Sequence, residues 1–330
     1  MNKIKVVIVG LGDIGSGNSS ENLHLKLNHA SAILNDERFN LVGGFDPLNK
    51  ARERFEMLYK VPTFDKLSSL IYETSPQLLV IASPTTTHYS ILKQVSDFTN
   101  VKFILCEKPI AIKTKSLRNI LKKMSNQNQV VLVNYQRRSE VEAKAIFEMI
   151  RNNAFGEILG GTGFYSGGYF NNGSHMIDLL EWWFGQKSEL NKLIKINTNF
   201  DDYYVTLSLN ICSRDFILSS INSNSTSYFE IILQFELTQL RYVAGGNQIY
   251  FDNICTDYNY KDFKSIYAAN KAQFVPNGQT LSSVYDELYC AIEGYDFSLI
   301  SGIEAVKLIE RMQGFIRKKW GLFSVSALWR

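Results

Sequence analysis

Three glycines near the start of this 330-residue chain, Gly10, Gly12 and Gly15, stand in G-x-G-x-x-G spacing. That spacing suits the cradling of a pyrophosphate. The first glycine permits a tight turn, the second lets a phosphate approach the backbone, and the third lets helix and strand pack closely. Taken alone, the pattern also fits an ordinary strand-to-helix turn. The run before it favours the cradle: Ile4, Val6, Val7, Ile8 and Val9 are nearly continuous apolar residues, as in a parallel strand buried on both faces. A helix behind the turn is expected to offer free N–H groups and its positive dipole end to phosphate. The next apolar strand, residues 40–45, ends in Asp46, which is placed to accept hydrogen bonds from ribose hydroxyls or, more blandly, to sit as a solvated turn residue before Pro47. Asp46 follows Gly15 by 31 residues. The usual interval is about 20 residues, which marks residues 16–27 as an insertion at the cofactor's edge. A carboxylate there repels a 2′-phosphate, so NAD(H) is favoured over NADP(H).

These groups need a scaffold that brings strand ends together, and the next hundred residues alternate accordingly. Helices are predicted over 51–59, 66–73, 89–98 and 115–125, with strands over 77–82, 102–106 and 129–134 and an edge segment over 60–64. Six strands alternating with helices describe an α/β, Rossmann-type doubly wound parallel sheet, whose ligand lies beyond the carboxyl ends of the strands. Gly10, Asp46, Ser83 and Lys108 all fall at such ends. Beyond Tyr135 the character changes. A helix over 141–151, a strand over 157–165 and a glycine-rich stretch over 166–173 lead into a helix over 174–184. Then Val205, Leu207, Leu209 and Ile211 alternate with Thr206, Ser208 and Asn210, the period-two pattern of antiparallel strands with one solvated face. A last helix is predicted over 302–318. The expected organisation is a dinucleotide-binding domain over residues 1–135 and a C-terminal α+β domain over 136–330, built on a large, mostly antiparallel sheet for substrate binding and oligomerisation.

Bulk properties narrow the class. Apolar residues make up 45% and charged residues 20%, ordinary values for a soluble globular protein. A net charge of +3 is too small to argue for nucleic acid, and the basic run at Arg317, Lys318 and Lys319 suits a helix C-terminus. No stretch approaches a membrane span, and Met1 to Lys5 leads into the first strand rather than a signal peptide. Cys106, Cys212, Cys255 and Cys290 are scattered without metal-ligand spacing. Buried, reduced thiols, a cytoplasmic location and no metal are the expectations.

Four motifs in this order resemble the glucose–fructose oxidoreductase/inositol dehydrogenase (Gfo/Idh/MocA-like) family. They are the glycine fingerprint with Asp46, the turn Ala82-Ser-Pro-Thr-Thr-Thr-His88, the triplet Glu107-Lys108-Pro109, and Asn171-Asn-Gly-Ser-His175-Met-Ile-Asp178. Glu107-Lys108-Pro109 is the most specific. Ser301 to Val306 also resembles the family's closing helix, so the likeness spans nearly the whole chain. The resemblance implies reversible oxidation of a secondary alcohol to a ketone, usually on a sugar or polyol, by a nicotinamide. It implies that Gly10, Gly12, Asp13, Ile14, Gly15, Asp46, Ser83, Pro84, Thr85, His88, Glu107 and Lys108 line the cofactor site. Lys108 would bind the reacting hydroxyl and lower its pKa, with Pro109 stiffening the backbone. His175 would be the general acid/base, and Asp178, three residues on, would orient it or touch substrate. Ser83 and Thr85 depart from the family's usual Thr and Asn. Asn171 replaces an aspartate common in the family; an amide cannot take a proton, so it orients substrate or water.

Tyr165, Tyr169, Arg137 and Arg138 are further candidates for sugar hydroxyls or a phosphate. The resemblance implies a sugar substrate, with a nucleotide-linked or amino sugar in polysaccharide synthesis among the forms expected. Two rival readings stand beside it: a cofactor-binding regulator or scaffold that has lost the reaction, and a reductase of a non-sugar carbonyl. A homo-oligomer, dimer or tetramer, is expected through an outer sheet face bearing Tyr203, Phe229 or Phe235.

Overall fold

The computed structural model describes residues 3–17, 27–111, 114–199, 202–223, 226–274 and 280–320. The chain divides into two compact units, Met1–Glu140 with Gln279–Ile309, and Val141–Gly278 with Glu310–Arg330. The first crossing falls after Glu140. The chain then returns, because residues 279–309 carry an apolar face that belongs to the first unit.

The first unit runs β1 (Ile4–Val9), α1 (Asp13–Ser16), α2 (His29–Leu34), β2 (Phe39–Phe45), α3 (Asn49–Tyr59), β3 (Thr63–Phe64), α4 (Leu67–Thr74), β4 (Leu78–Ile81), α5 (Thr85–Val95), β5 (Phe103–Cys106), α6 (Thr114–Asn126) and β6 (Val130–Val133). A 3₁₀ turn over Gln136–Ser139 closes this stretch. The second unit contributes α7 (Val141–Arg151), β7 (Ile158–Tyr165), a π-type turn (Gly168–Gly173), α8 (Ser174–Phe184), β8 (Glu189–Asn199), β9 (Asp202–Ile211), β10 (Arg214–Ser220), β11 (Phe229–Phe235), β12 (Thr238–Val243), β13 (Gln248–Thr256) and β14 (Lys264–Tyr267). Then α9 (Thr280–Glu293), β15 (Ile300–Ser301) and α10 (Gly302–Trp320) follow.

In the first unit the strand order is β15-β6-β5-β4-β1-β2-β3, parallel except for β15, which pairs antiparallel with β6. The apolar strands of the centre are buried on both faces, as their continuous apolar runs require. On α9, Leu281, Val284, Tyr285 and Leu288 stand at i, i+3, i+4 and i+7 and join Val6, Ile8, Leu78 and Val80 in one core. That helix and β15 have no counterpart in the sequence reading.

In the second unit the sheet order is β14-β13-β12-β11-β7-β10-β9-β8. Only β7 and β10 pair in parallel among the described strands. Helix α8 lies close on this sheet at Gly163, where a Cβ would stand 2.3 Å from Met176 Sδ. Its far end is tied down by Glu181, which accepts from both the Arg311 guanidinium (2.7 and 2.8 Å) and the Ser188 N–H and hydroxyl. The outer-face expectation needs correction. Tyr203, Phe229 and Phe235 are buried, and the residues that alternate outward on adjacent strands are Phe164 and Ile217, 40% and 47% exposed. Period two leaves the choice of face open from sequence alone; the packing of α8 decides it. The cysteines also depart from expectation. All four are free thiols, but Cys255 is exposed and only Cys106 is fully buried.

Candidate functional site

At the carboxyl edge of the first unit's sheet, each residue after a strand is bonded to the last residue of its neighbour. Gly10 N–H donates to Phe45 O, Ala82 to Val9, Glu107 to Ile81 and Asn134 to Cys106, at 2.8 to 2.9 Å. This ladder sets the candidate residues side by side.

The glycine turn is held by close contact. Gly10 has φ +97°, and a Cβ there would lie 2.5 Å from Ser83 N; a Cβ at Gly15 would lie 2.0 Å from Gly10 O. In front of Gly12 there is nothing within 4 Å of a Cβ position. Two glycines are therefore needed for packing, and the middle one opens onto space, which fits a dinucleotide's pyrophosphate. The expected helix dipole is reduced, because α1 has only four residues and the dipole grows with aligned peptides. Asp13 and Ile14 on α1 are exposed. Most of the expected insertion at 16–27 lies outside the described residues.

Asp46 accepts from Leu11 N–H through Oδ2 and from Leu48 N–H through Oδ1, each 2.9 Å. Its carboxylate is thereby fixed against the glycine turn. Ser83 Oγ lies 2.7 Å from Thr87 Oγ1, and Thr87 donates to Pro84 O. Residues 85–88, expected as a turn, are instead the first turn of α5, which Pro84 caps with φ −55°. His88 is fully buried. Nε2 lies 2.8 Å from Ser83 O, and Nδ1 faces Pro109 O, Ile110 O and Cys106 Sγ. Burial lowers its pKa against the pull of those carbonyls. A single proton on Nε2 with the Cys106 thiol donating to Nδ1 satisfies the shortest contact. His88 thus braces the Ser83 turn against the Pro109 turn from behind, which corrects its expected place lining the cofactor.

Glu107 Oε1 accepts from Asn134 Nδ2 (2.7 Å) and lies 3.1 Å from His29 Nε2; Lys108 N–H donates to Oε2 at 3.3 Å. Behind it, Tyr285 hydroxyl lies 3.0 Å from His29 Nδ1. Burial pushes the Glu107 carboxyl up, but His29, Asn134 and the Lys108 charge outweigh it and hold the pKa below the usual range. An ionised Glu107 only accepts, so His29 donates from Nε2 and Tyr285 closes the chain at Nδ1. The Lys108–Pro109 peptide is cis. Lys108, half-buried just beyond β5, is anchored through its own backbone by the half-buried Glu107 carboxylate.

In the second unit, His175 is the second residue of α8 and Asp178 lies one turn on; both are buried. Asn171 is half-buried in the π-type turn, and its carbonyl accepts from Ser174 Oγ at 2.7 Å. Tyr165 departs from its expected contact with sugar hydroxyls: it is buried, its hydroxyl donates to Val205 O at 3.2 Å, and its ring supports Gly173. Tyr169 is likewise buried. In the first unit, Arg137 pairs with Glu140 at 3.5 Å, and Arg138 donates to Ser298 O.

Four contributors escape sequence reading. Asn134 was within reach, since it directly follows a strand end. His29 sits behind the insertion, Tyr285 is 256 residues from its partner, and Arg54, which donates to Leu11 O, lies on a helix with no motif. Among the described residues no cluster of His, Cys, Asp or Glu suits a metal, and no helix is long and apolar enough to cross a membrane.

Residues 4–135 match the model of an oxidoreductase family with an NAD-binding Rossmann fold, GFO_IDH_MocA. An inositol 2-dehydrogenase of Rubrobacter xylanophilus is 28% identical over 156 residues, 47% of this chain and 41% of that protein. The match thus spans less than half of that relative's length. Among solved structures, an inositol dehydrogenase homologue of Azotobacter vinelandii complexed with NADH and myo-inositol superposes with TM-score 0.70 at 18% identity, covering 96% of each chain. A proposed NADPH-dependent oxidoreductase of Desulfitobacterium hafniense gives 0.76 at 15% identity, covering 97% of this chain and 96% of its own. At such identities the structures show a shared fold.

Proposed function

From the match of residues 4–135 to that family model, we propose that this chain is a Gfo/Idh/MocA-type, NAD(H)-dependent oxidoreductase interconverting a secondary alcohol and a ketone on a polyol or sugar. The observation that carries the reading is the glycine turn: Gly10 and Gly15 are packed tight while Gly12 faces open space, with the Asp46 carboxylate fixed beside it.

A bound nicotinamide supplies the hydride acceptor. The chain's own residues do the rest. Asp46 binds the ribose hydroxyls and disfavours a 2′-phosphate. Lys108 holds the reacting hydroxyl and stabilises negative charge on its oxygen, from a backbone that Glu107 fixes. His175 is the proposed proton acceptor, with Asp178 on the next turn of α8 to orient it. A free polyol or sugar is favoured over a nucleotide-linked one, since of the two cations considered for a phosphate Arg137 already pairs with Glu140 and Arg138 already donates to Ser298 O.

Titration with NADH and NADPH, followed by tryptophan fluorescence, tests the reading. NADH is expected to bind at least about fivefold tighter, since a carboxylate near a phosphate is repelled by about 1 kcal/mol or more. Asp46→Ser should narrow the gap. Equal or inverted preference would remove Asp46 as the selector, and binding of neither would overturn the enzyme reading.

We also propose a homo-oligomer through the outward sheet face of the second unit, where Phe164 and Ile217 stand exposed on adjacent strands. Light scattering on Ile217→Lys should report a smaller mass than the parent chain. A monomeric parent across a concentration series would refute it.

A further inference from the structure

The first unit holds a cation that the glycine fingerprint does not include. Arg54 lies on α3, half-buried, and its Nη2 donates to the carbonyl of Leu11 at 2.6 Å. Leu11 is the residue between Gly10 and Gly12, and its N–H is taken by Asp46. The segment entering Gly12 is therefore held between a guanidinium on its carbonyl and a carboxylate on its amide. A second tether runs from the same helix: Tyr59 hydroxyl donates to Ser16 O, at the other end of the turn.

The charges around the turn make Arg54 more than a strut. Asp46 and Asp13 place two carboxylates at the cradle. The four-residue α1 brings only a fraction of a helix dipole to offset them. A pyrophosphate adds further negative charge. Among the described residues, Arg54 is the cation bonded to the turn, and its Nε is buried without a hydrogen-bond partner, so no carboxylate neutralises that atom.

We propose that Arg54 is the cation of the pyrophosphate cradle, fixing the Leu11 carbonyl and holding a positive charge beneath the turn for a dinucleotide's phosphates. This rests on the dinucleotide reading given above. It is a positioning and electrostatic role, since Arg54 acts through Leu11, and it separates ligands by their phosphates rather than by their base or sugar.

The test uses the full chain and three probes: NADH and ADP-ribose by calorimetry, and adenosine by ligand-observed NMR. Arg54→Met keeps the length and apolar stem of the side chain but removes its charge. It should weaken NADH and ADP-ribose about tenfold, flatten the salt dependence of their binding, and leave adenosine unchanged. Arg54→Lys should restore most of the loss. Tyr59→Phe, which removes a tether without a charge, should affect all three probes alike and leave the salt dependence intact. Unchanged NADH affinity in Arg54→Met, or an equal loss for adenosine, would overturn the proposal while the dinucleotide reading stands. Failure of the parent chain to bind NADH, NADPH or ADP-ribose would overturn both.

Discussion

Replacing Lys108 by alanine is expected to lower kcat for the best polyol found in a substrate panel by about a thousandfold, with NADH affinity changing far less. The expectation follows from where the lysine is anchored. It lies two residues beyond β5, its N–H is held by the Glu107 carboxylate, and that carboxylate is itself held by Asn134 and His29. A preorganised donor beside developing negative charge contributes about 10² to 10³ in rate when it acts on an oxyanion. On the proposed reading, dinucleotide binding rests chiefly on the glycine turn and Asp46, and should survive. Lys108→Met separates charge from bulk: it should be as inactive as the alanine variant. Steady-state rates with NAD⁺ and the polyol check this. Near-normal turnover in either variant would remove Lys108 from the chemistry and leave His175 to account for proton movement alone.

Removing residues 279–309 is expected to unfold the first unit. Leu281, Val284, Tyr285, Leu288 and Leu299 are all buried in its core beside Ile8, Leu78 and Val80. Burying one large apolar side chain contributes about 1.5–3 kcal/mol, so five of them amount to roughly 10 kcal/mol, as much as the whole stability of a typical domain. The same deletion removes the strand that covers the edge of β6, the Tyr285 hydroxyl that meets His29, and the Asp286 partner of Arg38. Circular dichroism melts of residues 1–140 should show no cooperative transition and no response to NADH. A milder form of the test is Leu288→Asp in the full chain, which should lower the melting temperature by more than 10 °C. A cooperative, NADH-responsive melt of residues 1–140 would show that the parallel sheet stands without its returning segment.

Local chemistry made some of this molecule legible from sequence. The glycine turn, the buried strands of the parallel sheet and the helix from Ser174 are dictated by neighbours a few residues away, and their bounds come close to those observed. The place of Asp46 just after a strand was legible for the same reason, and its carboxylate meets the Leu11 N–H of the glycine turn. What sequence could not supply depends on contacts between distant segments. His88 looked like a lining residue, but burial between two turns makes it a brace. Tyr203, Phe229 and Phe235 looked like an outer face, because period-two alternation marks two faces without saying which is covered. Tyr165 looked like a sugar contact and points its hydroxyl at Val205. His29 and Tyr285 carried no motif at all, and their roles arise only when the returning helix lies beside the start of the chain. Sequence by itself therefore determined the nucleotide-binding fold and the identity of the candidate groups, since both follow from short-range pattern. Tertiary structure alone decided which of those groups are supports, and which distant residues hold Glu107 and the glycine turn in place, since burial and hydrogen-bond partners exist only once the segments meet.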